Sequence, residues 1–326
     1  MMGERMSFID LCAGIGGGRL GLEAHGLNCV GYSEIDKDAA HTYKSLYGDE
    51  KAYGDLTKIN LDSLPNFDVL ISGFPCQTFS IVGKRHGLED DDQGQIIYYI
   101  AKILEKAENN YFILENVKGL VNHDGGRTFK IVLELLESLD YKVYHSILNS
   151  IDYGVPQMRE RIYLVGIKND IHPKNKVFEF PEKIGKAPIE DFLCDVRNEF
   201  IFDENHATYA TFQKYLNNKY NNGKFDIDEI LKDDYNVLDT RQSDLRIYTK
   251  KVPTLRKGRQ GILYTKNGLL RKLSGYEALL LQGFSKDYAH KAASVQSNSK
   301  LLAQAGNAMT VNVIEAISEK LLTFIG

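Results

Sequence analysis

Short apolar runs and amphipathic segments alternate along the first half of the chain, and polar or glycine-rich turns separate them. The runs are rich in β-branched and aromatic residues, which is typical of buried strands, and the segments between them carry apolar residues at helical spacing. The predicted strands cover residues 6–11, 27–33, 67–71, 111–114, 141–148 and 162–166, and the predicted helices cover residues 20–24, 39–46, 95–104 and 129–139. Strands that alternate with helices in this way predict an α/β fold.

A glycine-rich segment, residues 12–18, comes after the first predicted strand and leads into the first helix. Strand, glycine loop and helix in this order open a nucleotide-binding unit, in which bare backbone and a helix N-terminus approach the ligand. The dehydrogenase fingerprint requires glycine where this chain has Arg19. The loop therefore indicates a nucleotide-like cofactor without specifying which one.

Two acidic residues lie beyond the glycine loop at positions where a cofactor could meet them. Glu34 ends the second predicted strand and is placed to accept hydrogen bonds from ribose hydroxyls, or to cap the next helix. Asp55 lies in a turn or short strand and could reach the exocyclic amine of an adenine, or cap the segment after it. Together they favour a cofactor that contains adenosine.

Cys76 comes just after the apolar run 67–71, at the edge where α/β sheets carry their chemistry. Gly73 allows a tight exit from the strand and Pro75 fixes a backbone torsion, so the thiol is presented by a stiff turn. A lone cysteine is most often a small buried hydrophobic residue. Glu115, which ends the next predicted strand, supplies a second chemical group expected close to Cys76. This pairing favours Cys76 as a nucleophile.

Arg159 and Arg161 precede the apolar strand 162–166 and alternate in sequence, so both guanidinium groups are predicted to point the same way. Arginine pairs of this kind bind a carbonyl oxygen or a phosphate, and they can lower the pKa of a nearby thiol.

These segments, taken together and in order, resemble the bacterial DNA cytosine-C5 methyltransferases of restriction-modification systems. The matching segments are residues 10–17, 73–77, 115–117, 157–161, 271–273, 281–284 and 304–309. The resemblance implies a Rossmann-like, S-adenosylmethionine-dependent methyltransferase sheet with a second, smaller, mostly β target-recognition domain. It also implies a catalytic and cofactor-binding domain over residues 1–178, a target-recognition domain over 179–285, and a return segment over 286–326 that completes the first domain.

The chemistry of this family explains the residue types. Position 5 of cytosine is too weak a nucleophile to attack a sulfonium methyl group, so a thiolate, here Cys76, first adds to C6. The resemblance implies that Glu115 holds the N3 and amino edge of the base, and that Arg161, with Arg159 beside it, holds the carbonyl. The residues expected to bind S-adenosylmethionine are Asp10, Cys12, Gly14, Gly16, Gly17, Glu34, Ile35, Asp55 and Asn307. Cys12 stands where the family usually has a phenylalanine that stacks on adenine.

Basic residues are concentrated between Arg241 and Lys272, a segment that contains ten lysines and arginines and a single acidic residue, Asp244. This local excess predicts the surface that contacts DNA phosphates. Thr254 and Leu255 resemble a pair found in the family's target-recognition region. The residues expected to contact double-stranded DNA are Ser80, Arg85, Thr254, Leu255, Arg256 and Arg259.

Composition narrows the remaining choices. The 326 residues include four cysteines, with no CxxC pair and no cysteine or histidine spacing typical of a metal site, so neither disulfides nor a metal is predicted. The sequence shows no signal peptide or membrane span, and we expect a cytoplasmic monomer whose partner restriction endonuclease, if present, acts separately. A formal net charge of −4 argues against a protein that coats nucleic acid, although it does not exclude local basic patches.

Three alternatives remain open from the sequence. An RNA cytosine-C5 methyltransferase would use the same chemistry. A nicotinamide-dependent oxidoreductase would share the glycine loop and Glu34, but it gives no role to Cys76, Glu115 and the arginine pair. A catalytically inactive DNA-binding relative would be expected to have lost one of Cys76, Glu115 or Arg161, and the chain retains all three.

Overall fold

The computed structural model describes residues 5–48, 51–75, 96–107 and 109–326, so the predicted site residues Cys76, Ser80 and Arg85 lie outside the described residues. The strands are β1 (Ser7–Leu11), β2 (Asn28–Ser33), β3 (Val69–Gly73), β4 (Tyr111–Val117), β5 (Tyr141–Asn149), β6 (Gln157–Met158), β7 (Glu160–Lys168), β8 (Asn236–Asp239), β9 (Arg246–Thr249), β10 (Val252–Pro253), β11 (Ile262–Lys266) and β12 (Leu269–Lys272). The α-helices are α1 (Gly17–Glu23), α2 (Lys37–Tyr47), α3 (Ile96–Ala107), α4 (Arg127–Glu137), α5 (Tyr209–Leu216), α6 (Ile227–Ile230), α7 (Gly275–Leu280), α8 (Lys286–Val295), α9 (Asn298–Asn307) and α10 (Val311–Ile325). Short 3₁₀ helices cover Leu56–Lys58, Leu61–Ser63, Lys118–Gly126, Ser150–Asp152, Ile189–Asp191 and Asn198–Phe200.

The chain divides into two compact units. The first unit comprises Met1–Asn149, Glu160–Glu182 and Ala308–Gly326, and the second comprises Ser150–Arg159 and Lys183–Asn307. These units differ from the predicted domains at three places, the first being that residues 179–182 group with the first unit. Residues 150–159 group with the second unit, and the segment that returns to the first unit begins at Ala308 rather than at residue 286, because α8 and α9 pack against α7. The functional division of the chain stays a prediction.

A mixed sheet in the order β2-β1-β3-β4-β7-β5 forms the centre of the first unit. β1 to β4 are parallel, whereas β7 is antiparallel to both of its neighbours. β3 and β4 are almost continuously apolar and buried, as expected for strands covered on both faces. The predicted α/β fold is confirmed, and the predicted strands lie within two or three residues of the observed ones.

The strand order determines where a ligand can bind. β1 pairs with β2 on one side and with β3 on the other. The chain therefore adds β2 to one side of β1 and then adds β3 and β4 in the opposite direction. Open α/β sheets bind their ligands at such a topological switch point, outside the carboxyl ends of the strands. The glycine loop, Glu34 and the end of β3 all lie at this edge of the sheet, because each comes directly after a parallel strand or ends one.

The C-terminal helix α10 packs closely against α1 within the first unit. A Cβ atom added to Gly21 would lie 2.6 Å from Cβ of Ile314, and Ser318 Oγ donates a hydrogen bond to the Gly21 carbonyl at 3.0 Å. Two helix backbones approach this closely only where one of them lacks a side chain. The end of the predicted return segment therefore forms a helix, α10, that completes the first unit.

The second unit contains an antiparallel sheet in the order β12-β11-β8-β9 and a short parallel pair formed by β10 and β6. Its apolar core joins the sheet to α5 through Phe202, Phe212, Leu238, Leu263 and Leu270. This arrangement confirms the predicted second β-containing part, which also carries helices α5 to α9.

The described residues contain neither a membrane-spanning helix nor a metal cluster. No helix there is both long and apolar enough to cross a bilayer. No group of three or more His, Cys, Asp or Glu side chains in the same ranges could hold a metal ion.

Candidate active site

Glu115 and Arg161 form an ion pair at the carboxyl end of β4. Arg161 Nε lies 2.9 Å from Glu115 Oε1, and the two side chains are only 12% and 10% exposed. Arg161 Nη1 also donates to the Glu160 carbonyl, which fixes the guanidinium plane. Oε2 of Glu115 and Nη2 of Arg161 are the remaining polar atoms of the pair. The pair therefore offers one acceptor and one donor side by side in a poorly solvated position.

Gly73 lies opposite Glu115 in the β3–β4 register. A Cβ atom added to Gly73 would lie 3.6 Å from Glu115 Oε2, so the glycine leaves open the space in front of the carboxylate. The chain then continues through Phe74 and Pro75 toward Cys76, which is outside the described residues. The sequence prediction that Cys76 and Glu115 lie close together stays a prediction.

Asn116 fixes the chain where it leaves β3. Its side-chain amide donates a hydrogen bond of 2.9 Å to the Phe74 carbonyl, and both residues are buried. The Asn116 side-chain carbonyl oxygen accepts from the Val117 amide at 2.8 Å, so the side-chain amide is oriented at both ends. No role for Asn116 was predicted from the sequence. Its position directly after Glu115 was the available signal.

Met309 is a second residue for which the sequence predicted no role. It is 4% exposed and lies between the glycine loop and the end of β3. A Cβ atom on Gly17 would lie 2.3 Å from the Met309 carbonyl oxygen, and one on Gly18 would lie 2.6 Å from Met309 Cε. A Cβ atom on Gly73 would lie 3.6 Å from its sulfur. Gly17, predicted to bind the cofactor, is thus also required for close packing against Met309.

The glycine loop is closed by Glu34. The carboxylate accepts a hydrogen bond from the Gly14 amide at 2.7 Å through Oε2, and another from the Asp36 amide at 2.7 Å through Oε1. Gly14 has a φ of 57°, and a Cβ atom added to it would have no atom within 4 Å. Glu34 is thus fixed at the loop, with open space beside Gly14.

Tyr47 supports the same loop from α2. Its hydroxyl donates to the carbonyls of Ile15 and Gly16, each at 3.1 Å. Gly16 has a φ of 83°, and a Cβ atom there would lie 2.5 Å from the Tyr47 ring. Both conditions require glycine at position 16. The guanidinium of Arg19 lies 4.2 Å from the centre of the Tyr47 ring, which restricts the ring further.

Ile35 and Asp55, both predicted to bind the cofactor, lie in different surroundings. Ile35 is 73% exposed, which is unusual for isoleucine and suits contact with an apolar ligand surface. Asp55 caps the 3₁₀ helix Leu56–Lys58, because its Oδ1 accepts from the Thr57 amide and the Thr57 hydroxyl. These hydrogen bonds lower the pKa of Asp55. The capping alternative for Asp55 is confirmed, and its contact with an adenine stays a prediction.

Asp10 and Cys12 flank the end of β1. Asp10 is fully buried, with the Tyr43 hydroxyl 3.5 Å from its Oδ2. Burial raises the pKa of Asp10 well above its usual value, against the effect of the Arg19 guanidinium. Cys12 has a φ of 51°, in the left-handed region, and burial raises the pKa of its thiol to about 12. Asp10 is therefore placed to support the loop from the interior, and a direct contact with the cofactor stays a prediction.

Arg159 differs from the expectation that it would act beside Arg161. It lies between β6 and β7 rather than within a strand, so the alternation that predicted a common direction does not apply. Its side chain is buried in the second unit, where Nη1 donates to the carbonyls of Leu255 at 3.1 Å and Gly306 at 3.2 Å. Nη2 also donates to Gly306. These bonds fit a residue that positions backbone.

Thr254 and Leu255 also differ from the expectation of direct DNA contact. Leu255 is 4% exposed, and its amide donates to the Gln157 side chain at 3.0 Å. The Thr254 hydroxyl donates to the Met158 carbonyl at 2.6 Å. Since these groups are already bonded within the second unit, the pair attaches this segment to β6. Leu255 does not present its side chain on the surface.

The basic segment between Arg241 and Lys272 is less uniformly exposed than its composition indicated. Arg241 is ion-paired with Asp239, and its side chain is 4% exposed. Arg271 is buried and donates to the carbonyls of Asp195 and Arg197. Both arginines are structural here, contrary to the predicted phosphate contacts. Arg256 and Arg259 are exposed, as their predicted role requires.

Asn307 is the last residue of α9 and is exposed in the second unit. Its predicted contact with the cofactor stays a prediction.

Comparison with known proteins gives a consistent result. The family model described as C-5 cytosine-specific DNA methylase matches residues 6–323. The type II methyltransferase M.DsaV of Dactylococcopsis salina is 36% identical over 324 residues, covering 99% of this chain and 87% of the relative. The type II methyltransferase M.HhaI of Haemophilus parahaemolyticus is 34% identical over 320 residues, covering 96% of this chain and 93% of the relative.

Solved structures support the fold. The S. pombe Dnmt2 methyltransferase aligns with a TM-score of 0.67 at 18% identity, covering 98% of this chain and 99% of the other. The Entamoeba histolytica methyltransferase EhMeth aligns with a TM-score of 0.65 at 17% identity, covering 99% and 98%.

Proposed function

Because the chain belongs to the C-5 cytosine-specific DNA methylase family, we propose that Cys76 is the nucleophile of its methyl transfer reaction. The protein is a DNA (cytosine-5-)-methyltransferase, and its type II relatives indicate that methylation protects host DNA in a restriction-modification system. The nicotinamide oxidoreductase alternative is wrong, because the family model covers the glycine loop together with the rest of the chain.

The proposed reaction begins with the Cys76 thiolate adding to C6 of the cytosine ring. The electron pair of the C5–C6 double bond moves to C5 as N3 is protonated, which makes C5 nucleophilic. S-adenosylmethionine, when bound, supplies an electrophilic methyl group and leaves as the thioether. A base then removes the C5 proton, N3 gives up the proton it had gained, and the C5–C6 double bond re-forms as the thiolate leaves. No described residue is assigned as that base.

The Glu115–Arg161 pair is the observation that carries the proposal. Cytosine presents a carbonyl acceptor beside N3 and an amino donor along one edge. Arg161 Nη2 can donate to the carbonyl, while Glu115 Oε2 can accept from the amino group or transfer a proton to N3. The two side chains are about one-tenth exposed, so their hydrogen bonds to a base would be little weakened by water.

The residues around the glycine loop fit S-adenosylmethionine. The open space beside Gly14, the exposed face of Ile35 and the carboxylate of Glu34 adjoin the carboxyl end of β1. We propose that Ile35 packs on the adenine, that Glu34 accepts from the ribose, and that Gly14 and Gly16 allow the close approach of the methionine part. Tyr47 holds the loop in this shape through its two hydrogen bonds.

DNA recognition requires surface outside the cofactor-bearing sheet. The exposed Arg256 and Arg259 of the second unit supply positive charge for phosphates. Because the duplex hides C6 of the target base, we propose that the cytosine is flipped out of the helix before Cys76 adds. Ser80 and Arg85, which lie outside the described residues, are proposed to contact the DNA near that base.

The proposal is tested by expressing the chain with a plasmid in a host that lacks cytosine methylation. Sequencing of 5-methylcytosine should find it within one short recognition sequence, and the Cys76→Ala variant should give none. The Cys194→Ala variant is the matched control, because Cys194 lies in the second unit and should leave methylation intact. Methylation by Cys76→Ala at the wild-type level would exclude Cys76 as the nucleophile.

The RNA alternative is tested with the same purified protein. Transfer of labelled methyl groups to plasmid DNA, with none to a tRNA pool, is the result expected here. We further propose that the protein acts as a cytoplasmic monomer and that any cognate endonuclease acts separately. Sedimentation at assay concentrations would contradict the monomeric state if it found a dimer.

A further inference from the structure

A basic loop on the second unit, residues 255–260, connects β10 to β11 and carries Arg256, Lys257 and Arg259. Residues 256–260 are exposed, whereas Leu255 at the start of the loop is buried. The loop contains no helix or strand, so its conformation depends on contacts with neighbouring segments.

Both ends of the basic loop are attached to the turn after β8. Just before the loop, the Thr254 carbonyl accepts a hydrogen bond of 2.7 Å from Arg241 Nη1. Just after it, the Gly261 carbonyl accepts from the Thr240 amide and the Thr240 hydroxyl, each at 2.9 Å. In the middle of the loop, Arg259 Nη1 donates to the Arg241 carbonyl at 3.4 Å. Two adjacent residues, Thr240 and Arg241, therefore hold both ends of the loop on this side.

Asp239 orients Arg241 for this task. Arg241 Nε lies 2.7 Å from Asp239 Oδ1 and Nη2 lies 2.8 Å from Oδ2, a bidentate geometry that leaves Nη1 directed at Thr254. The side chains are 4% and 7% exposed, so this guanidinium is not available to a phosphate. Although burial alone would raise the pKa of Asp239, the bonds from Arg241 outweigh it and hold that pKa below its usual value.

The opposite side of the loop is packed against α9. A Cβ atom on Gly306 would lie 2.4 Å from the carbonyl carbon of Arg256 and from the amide nitrogen of Lys257. The Leu255 carbonyl accepts from Arg159. Since the backbone of the loop is held from both sides while its basic residues are exposed, the charges are presented from a fixed frame.

We propose that Asp239 and Arg241 are positioning residues that fix the basic loop so that Arg256, Lys257 and Arg259 contact phosphates of the substrate DNA together. This inference rests on the proposed function, because it presupposes a DNA substrate. Arg241 acts only through the loop and does not touch the substrate. Specificity also depends on the pair, since the phosphate contacts set the register from which base edges are read.

The test compares Arg241→Gln with Lys232→Gln, which removes one positive charge from an exposed ion pair elsewhere in the second unit. For Arg241→Gln we expect the Kd for duplex DNA to rise about tenfold and the slope of log K against log salt to decrease by about 1 to 2 in magnitude. The Kd for S-adenosylmethionine and kcat at saturating DNA should be unchanged. Lys232→Gln should leave all four quantities at wild-type values. A wild-type salt slope in Arg241→Gln would overturn the proposal.

A double-mutant cycle separates positioning from general structural support. In an Arg256→Gln/Lys257→Gln/Arg259→Gln background, Arg241→Gln should have little further effect on the DNA Kd, because the groups it positions are absent. Full additivity would contradict the proposal. If Arg241→Gln does not fold, Thr240→Val removes only the hydroxyl bond to Gly261 and should weaken DNA binding in the same direction. Failure of the wild type itself to bind or methylate duplex DNA would instead contradict the proposed function.

Discussion

Gly17→Ala offers a sharp test of how the C-terminal segment meets the glycine loop. Gly17 is the first residue of α1, and its added Cβ atom would lie 2.3 Å from the Met309 carbonyl oxygen. The obstacle is backbone, which cannot rotate away as a side chain would. Alanine favours a helix over glycine by about 1 kcal/mol, whereas overpacking a buried site costs about 1–3 kcal/mol and occasionally more. Because the obstacle is backbone, we expect the steric cost to lie toward the upper end of this range, giving a net destabilisation of up to about 2 kcal/mol.

The same substitution should also impair cofactor binding. Met309 lies beside Gly18 in the glycine loop and beside Gly73 at the end of β3, so displacing Met309 would disturb both segments. We expect thermal unfolding to occur several degrees lower and the Kd for S-adenosylmethionine, measured by calorimetry, to rise. Gly119→Ala is the matched control, because the nearest atom to its Cβ would be 4.0 Å away. It should leave both quantities at or near wild type. If Gly17→Ala is as stable as Gly119→Ala and binds S-adenosylmethionine normally, Met309 does not pack against the glycine loop this closely.

Three further predictions concern Tyr47 at the glycine loop, Asn116 at the end of β3, and Glu277, a buried residue of α7 in the second unit. Tyr47→Phe removes only the hydroxyl that donates to the carbonyls of the glycine loop, so the Kd for S-adenosylmethionine, measured by calorimetry, should rise severalfold. The KM for DNA, measured from initial rates, should be unchanged. Asn116→Ala leaves the buried Phe74 carbonyl without its hydrogen-bond donor, so the free energy of unfolding should fall by about 1–3 kcal/mol. The kcat should fall as well, and equal activity of wild type and variant would contradict the role of Asn116. Burial raises the pKa of Glu277 to about 7 from the ordinary value of 4.5, so its contribution to stability is full below about pH 4.5 and is lost as pH rises through 7. The stability of wild type relative to Glu277→Gln should therefore decrease between pH 5 and pH 8 in thermal unfolding, and a constant difference would count against this.

The sequence predicted the elements whose pattern is local. β3 and β4 contain continuous apolar runs, and the acidic residue at the end of β4 made Glu115 a candidate site residue. Arg161 was also named from the sequence, and the structure pairs it with Glu115, while the catalytic roles of both residues stay predictions. In each case the signal lay within a few residues along the chain.

The sequence was less informative where burial depends on distant partners. Arg241 and Arg271 add to a basic composition, but only the folded second unit shows that Asp239 and the carbonyls of Asp195 and Arg197 hold them. Arg159 was predicted to share a face with Arg161, which requires an unbroken strand, and the strand is interrupted at that residue. Local patterns do not contain these long-range pairings.

The covalent mechanism is tested most directly with a duplex in which 5-fluorocytosine replaces all cytosine. With hydrogen at C5, the adduct is transient, because the proton is removed after methyl transfer and the thiolate leaves. Fluorine cannot leave as a cation, so the adduct should persist. Such a duplex contains every possible site, so the recognition sequence need not be known.

The measurement is denaturing electrophoresis of the protein with this duplex and S-adenosylmethionine, with peptide mapping of any adduct. We expect a stable protein–DNA adduct for the wild type, linked through Cys76, and none for Cys76→Ala. Cys76→Ala should still bind DNA, because the basic loop is unchanged. A wild type that methylates ordinary DNA but gives no adduct, or an adduct mapped to another residue, would contradict Cys76 as the nucleophile.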